Sequence, residues 1–145
     1  MQVWMTLDAA VTSEDGQDRL SLQTAGQLTF TPDGFELRYE ETVDESAPPL
    51  SCTLCVRGGV LTLERRGAYH SVLLLEPGRR HLCEYHTPYG AFLIGVHTRT
   101  LTHTLTEQGG EIRLLYTMDL PTGDTTRHEM TIAVRPDPTS SEGKA

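Results

Sequence analysis

The sequence predicts an all-β fold, a single closed antiparallel meander β-barrel of about 8–10 strands. Three observations carry that expectation. Apolar residues recur at every second position in segment after segment, the period of a half-buried strand, and no window repeats them at i, i+3, i+4, i+7. Turn signals built on Gly, Pro and Asp separate the segments at short intervals. One long segment, beginning near Gly90, changes its apolar phase midway, between Thr98 and Thr100, and a period-two pattern changes phase only at a bulge or bend. Closure removes both exposed edges of such a meander, and long bulged strands are how a sheet curves into a barrel. A two-sheet sandwich would alternate in the same way.

The elements follow in order. Val3, Met5, Leu7, Ala9 and Val11 form the buried face of the first strand, which ends at Ser13-Glu14-Asp15-Gly16. Leu20 and Leu22 resume the pattern, and Leu28 and Phe30 lead into Thr31-Pro32-Asp33-Gly34, where Pro presets φ and Gly relieves the exit. Pairing around that turn sets Phe30 against Phe35 and Leu28 against Leu37. Residues 45–51, with Pro48-Pro49, lack the amides to continue a ladder and are a loop. Strands at 52–57 and 60–66 flank Gly58-Gly59, a two-residue link suited to a primed turn, with Val56 facing Leu61 and Leu54 facing Leu63. A type II turn at Glu76-Pro77-Gly78-Arg79 sets Val72 opposite Cys83 and Leu74 opposite His81. Thr87-Pro88-Tyr89-Gly90 reverses the chain into the long strand. A turn at Glu107-Gln108-Gly109-Gly110 then pairs Leu105 with Ile112, His103 with Leu114 and Leu101 with Tyr116. His128, Met130, Ile132 and Val134 mark the last strand. Residues 1–136 therefore read as one barrel domain and 137–145 as a frayed tail.

Composition narrows the function. A chain of 145 residues is one domain, long enough to bury about 70% of its unfolded surface. A net charge of -8 repels polyanions, so nucleic acid is not an expected partner. Glu36, Glu40, Glu41, Asp44 and Glu45 read as the solvated face and exit of one strand, and Arg79, Arg80 and His81 as a charged turn. The N-terminus has neither the basic region nor the apolar run of a signal peptide, and no apolar run reaches spanning length, so a cytoplasmic location without a membrane partner is expected. Three widely spread cysteines agree with a reducing compartment.

The segments Leu37-Arg38-Tyr39-Glu40-Glu41, Leu63-Glu64-Arg65-Arg66-Gly67, Tyr85-His86-Thr87-Pro88-Tyr89-Gly90 and Gly110-Glu111-Ile112-Arg113-Leu114-Leu115-Tyr116 together resemble the YwiB-like family of bacterial proteins, in order and spacing from Val3 to Val134. That family is a domain of unknown function with a lipocalin-like, calycin-type barrel. The resemblance implies the fold and no activity, and it carries over no catalytic or ligand residue. The chain departs from the family's usual threonines and aliphatics at Cys52-Thr53-Leu54-Cys55.

The residues offer little chemistry. Cys52 and Cys55 lie three apart on a strand, so their sulfurs point to opposite faces and cannot share one ion, which leaves them packing cysteines. His70, His81, Cys83 and Tyr85 share a face in the paired register but form no ligand spacing, so no metal or cofactor is expected. No nucleophile stands with a base and an acid behind it, so no catalytic residue is assigned and the chain reads as non-enzymatic. The remaining signal is polar residues on the inner face. A lumen lined by Tyr39, Tyr85, Arg99, His103 and Tyr116 would let tyrosine hydroxyls and Arg99 orient a small amphipathic ligand. Alternatively the aromatics fill the barrel, Arg99 lies past the bulge in water, and the protein acts through its outer surface as an interaction module or homodimer, with Trp4, out of core phase, as anchor.

Overall fold

Alternating inward and outward side chains resolve into ten strands in the computed structural model, which describes residues 1–42 and 46–137. They are β1 (Gln2–Ser13), β2 (Gly16–Thr31), β3 (Gly34–Glu41), β4 (Leu50–Arg57), β5 (Val60–Arg66), β6 (His70–Leu75), β7 (Arg80–Thr87), β8 (Gly90–His103), β9 (Gly110–Asp119) and β10 (Thr125–Pro136). Each strand pairs antiparallel with the next, and β10 returns to β1, so the sheet is a closed meander barrel. No helix occurs among the described residues. At one end, here the base, lie both ends of the described chain and the turns entering β3, β5, β7 and β9. The other end, the rim, carries the links entering β2, β4, β6, β8 and β10. Of the expected tail, Asp137 donates its amide to the Gln2 carbonyl at 3.1 Å, and 138–145 lie outside the described residues, as do Asp44 and Glu45 of the acidic run.

The base half of the interior is filled. Met5, Leu37, Leu54, Leu61, Leu63, Leu75, Ile112 and Ile132 are fully buried there and in the middle of the barrel, each contributing about 1.5–3 kcal/mol by leaving water. The tight turns behave as their chemistry requires. Phe30 pairs with Phe35 and Leu28 with Leu37, and Leu54 with Leu63 and Val56 with Leu61. Gly58 and Gly59 both take positive φ, 56° and 82°, the geometry of a primed two-residue hairpin. Gly78, at φ 77°, and the Arg79 amide bonded to the Glu76 carbonyl at 3.0 Å make the type II turn.

Two registers differ from expectation. Ser71 pairs with Tyr85 and His70 with His86, one residue away from the predicted β6–β7 alignment. The type II turn explains the shift. Its Gly78 amide bonds to Thr98 of β8 at 2.9 Å, which draws the turn off β6, and the Leu74 amide donates instead to the Cys83 sulfur at 3.4 Å. His70 consequently leaves the face it was expected to share with His81, Cys83 and Tyr85, and stacks on His86 with ring centroids 5.9 Å apart. Between β8 and β9, His103 pairs with Ile112 and Leu101 with Leu114, because Thr106 and Gly109 exchange both backbone bonds and close the turn on Glu107-Gln108. The phase change falls where the alternation breaks. The ladder slips between Thr98 and Thr100, leaving Arg99 as the bulged residue.

One part of the wall is not laddered. β2 pairs with β3 only from Gly26 to Thr31, whereas it pairs with β1 from Gly16 to Gln27, so residues 16–25 of β2 have a neighbour on one side alone. β2 and β3 part at Gly26, where an added Cβ would sit 2.9 Å from the Arg38 carbonyl oxygen. The resulting seam opens the barrel toward the rim.

Gly34 begins β3 beside β4 with no room for a side chain, since a Cβ there would collide with the Val56 carbonyl. Gly34→Ala is expected to lower the free energy of unfolding in urea by about 1–3 kcal/mol through overpacking. Gly58→Ala, with open space around it, should cost about 1–2 kcal/mol from positive φ alone. A Gly34→Ala variant as stable as wild type would contradict the β3–β4 packing.

Candidate functional site

Cross-strand pairing builds the site. Tyr39 pairs with Cys52, Cys52 with Arg65, Arg65 with Ser71, Ser71 with Tyr85 and Tyr85 with Phe92, so one row of direct register partners crosses six strands on the inner face. Glu41 follows Tyr39 by two residues and therefore points the same way. From the far wall Tyr116 and its register partner His128 face this row, their rings stacked 4.8 Å apart and 3° from parallel. Above the filled base, and bordered by four of these groups, lies a cavity of about 250 Å³. Leu7, Ala9, Val11, Leu20, Met118 and Met130 give it an apolar wall, Arg65, Glu41, Tyr116 and His128 give it polar groups, and Asp18 and Arg19 stand on its β2 side.

A charged pair sits inside the barrel. Arg65 Nε lies 3.5 Å from Glu41 Oε2, and Glu41 is buried although it ends its strand. The acidic run, expected to be the solvated face and exit of its strand, thus turns one carboxylate inward, because Phe35, Leu37, Tyr39 and Glu41 share one phase. Cys52 Sγ lies 3.9 Å from Glu41 Oε2, its thiol donating. The Tyr39 hydroxyl and Arg65 Nε are buried without a hydrogen-bond partner among the described residues.

Burial sets the protonation of every neighbour. Desolvation, reinforced by the Glu41 carboxylate, pushes the Cys52 thiol up to about 11, so at neutral pH it is neither a thiolate nucleophile nor a ready metal ligand. Burial also raises Tyr39 and Tyr116, and it raises Tyr85 with a smaller push from Tyr69. His128 falls to about 4, through burial first and the Arg65 charge second, and stands neutral with its Nε2 2.8 Å from Thr126 Oγ1. Burial, the largest single influence, would lower Arg65, but Glu41 together with Tyr116, Tyr39 and Cys52 outweighs it and holds the guanidinium charged. At neutral pH the site is thus a set of hydrogen-bond donors around one carboxylate. Among the described residues no three His, Cys, Asp or Glu side chains gather to hold a metal ion.

Three of the five residues expected in the lumen, Tyr39, Tyr85 and Tyr116, lie on this row and its facing wall, and of these Tyr116 lines the cavity. Arg99 and His103 do not. Arg99 is exposed, because the bulge takes it out of the ladder and an unpaired charge stays in water. His103 is exposed at the base, its ring 5.2 Å from that of Phe35 in an edge-on contact. The charges that do turn inward are Arg65 and Glu41. The signal for them was present, since Leu61 and Leu63 extended by two reach Arg65, as Leu37 and Tyr39 reach Glu41. Cys52 faces the lumen, and Cys55 faces outward. Trp4 is half-buried on the outer face, with Ala25 and Arg135 as register partners.

The folded-state lowering of His128 has a stability consequence. Its charged form is favoured in the unfolded chain, so its contribution is complete above the ordinary value of 6.5 and is lost as pH falls from there toward about 4. In urea unfolding, wild type should lose about 1 kcal/mol more than His128→Phe between pH 7 and pH 5, a figure discounted for the exposed part of the ring. Equal losses would contradict a buried neutral imidazole.

The family model for a domain of unknown function, DUF1934, matches residues 5–132. No curated protein matches the chain. Among solved structures, the ywiB protein from Bacillus subtilis superposes with a TM-score of 0.83, over 94% of this chain and 92% of that one, at 19% sequence identity. At that identity the likeness is one of fold, and it matches the barrel described above. The chain belongs to the DUF1934 family of YwiB-like domains.

Proposed function

We propose that the protein is a non-catalytic binding barrel that takes a small, partly apolar ligand in the rim half of its lumen. The observation that carries this reading is the pair of unpartnered buried donors, Tyr39 Oη and Arg65 Nε, close to a cavity with an apolar wall. A buried polar atom without a partner costs about 1–3 kcal/mol. A ligand atom or a water that accepts from it recovers that cost. The cavity, at about 250 Å³, falls just below the roughly 300–1,000 Å³ of drug-sized ligand sites, which restricts it to a small ligand. Access is through the seam, where Leu20 points inward yet remains 46% exposed because β3 has left β2. An enzymatic reading gains no support from the same groups, because the thiol and phenols are held protonated and the carboxylate beside the thiol, Glu41, is paired with Arg65.

Ala9 faces the cavity from β1 and can be enlarged to close it. In a thermal-shift panel of small amphiphiles, wild type should gain about 5–10 °C at a hundredfold excess of ligand over Kd. Ala9→Phe should abolish the gain while keeping its strand-type circular dichroism. A wild type that no amphiphile stabilises would contradict binding in the lumen, and a gain unchanged in Ala9→Phe would place it elsewhere.

A further inference from the structure

Hydrogen-bond supply and demand at the lumen site are unequal. Arg65 brings five N–H donors, the Tyr39 and Tyr116 hydroxyls one each, and Cys52 a weak fourth. Against these stands one buried carboxylate, Glu41, since Asp18 on the β2 side of the cavity is exposed. The Arg65–Glu41 contact is also loose. Its 3.5 Å exceeds the 3.0 Å of Arg66–Glu64 and the 3.1 Å of Arg113–Glu111 on the surface, and a well-formed charge-assisted bond is about 2.7–2.9 Å. A buried pair is favourable only with good geometry and its remaining donors satisfied. Here neither holds, since Arg65 Nε has no hydrogen bond and Tyr39 Oη has none.

We propose that this is an anion site, made for the carboxylate of a short-chain amphiphile, and that Glu41 stands in for that carboxylate until the ligand displaces it. The inference rests on the lumen reading above and adds the chemistry of the head group. Glu41 suits the part by its place in the fold. It is the last residue of β3, beyond the point where β2 has parted, and is laddered to β4 alone. Its side chain can therefore swing toward the mouth with the β3–β4 ladder intact, giving up its Arg65 and Cys52 contacts. The ligand's carboxylate would then accept from Arg65 and Tyr39, and its chain would lie on Leu7, Ala9, Leu20 and Met130. Two carboxylates beside one guanidinium would leave a net negative charge in a poorly solvated space, so ligand and inward Glu41 exclude each other. A cationic amphiphile would meet the Arg65 guanidinium, with the buried Glu41 carboxylate already paired to it.

Isothermal titration at neutral pH with octanoate, octanol and octylamine tests this. Wild type should prefer octanoate to octanol by at least tenfold, and octylamine should be the weakest. Glu41→Gln, nearly the same shape, should bind octanoate at least tenfold tighter than wild type while octanol changes less than twofold. If none of the three binds wild type, the lumen reading fails and the head-group inference falls with it. If octanol binds wild type as well as octanoate does, the lumen reading stands and the anion site is overturned. That comparison needs no variant. Equal octanoate affinity in wild type and a folded Glu41→Gln would overturn the displacement.

Discussion

Everything distinctive about this barrel depends on a charged pair that the period-two alternation points inward. Continuing the phase of Leu61 and Leu63 to Arg65, and that of Phe35, Leu37 and Tyr39 to Glu41, puts a guanidinium and a carboxylate into an interior that is otherwise uncharged and mostly apolar. In low dielectric those charges attract strongly and are costly to desolvate, so they must be paired and kept near solvent. That requirement divides the barrel. Below the pair the side chains close to a dry core, and beside it a cavity stays open. The same burial holds Tyr39, Tyr116 and Cys52 in their protonated forms and His128 in its neutral one.

Unequal strand lengths make the interior reachable. β2 runs sixteen residues and β3 eight, so the ladder between them closes the base and leaves a seam above Gly26. On its outer side the seam widens into a polar groove of about 950 Å³ that reaches down to Tyr39 and Cys52. The open edge of β2 is the structural counterpart of the buried pair, since a fully laddered wall would have sealed the charges from water.

The fold was largely legible because its determinants are local. Pro32-Asp33-Gly34 and Gly58-Gly59 fix φ within the turn itself, and each sets the register of the hairpin that follows. The phase change near Thr98 was equally plain, because a slipped alternation shows in the sequence whatever causes it. What failed was what tertiary contacts decide. The β6–β7 register depends on Gly78 bonding to Thr98, twenty residues on and in another strand. Arg99 was placed on the lumen wall by carrying a phase through the very bulge that breaks it, and Arg65 was passed over although two leucines in phase lead to it. Glu41 sat in an acidic run whose other described members do face water, and composition hides one inward carboxylate among outward ones.

A double-mutant cycle between Glu41 and Arg65 tests the central claim most directly. Urea unfolding of wild type, Glu41→Gln, Arg65→Met and the double variant at neutral pH measures their coupling. A pair that shares the lumen should leave each single variant with an uncompensated charge, and the double variant should be more stable than the sum of the single losses by about 1–3 kcal/mol. Losses that add to within about 0.5 kcal/mol would show two independent side chains and contradict an interior organised around them.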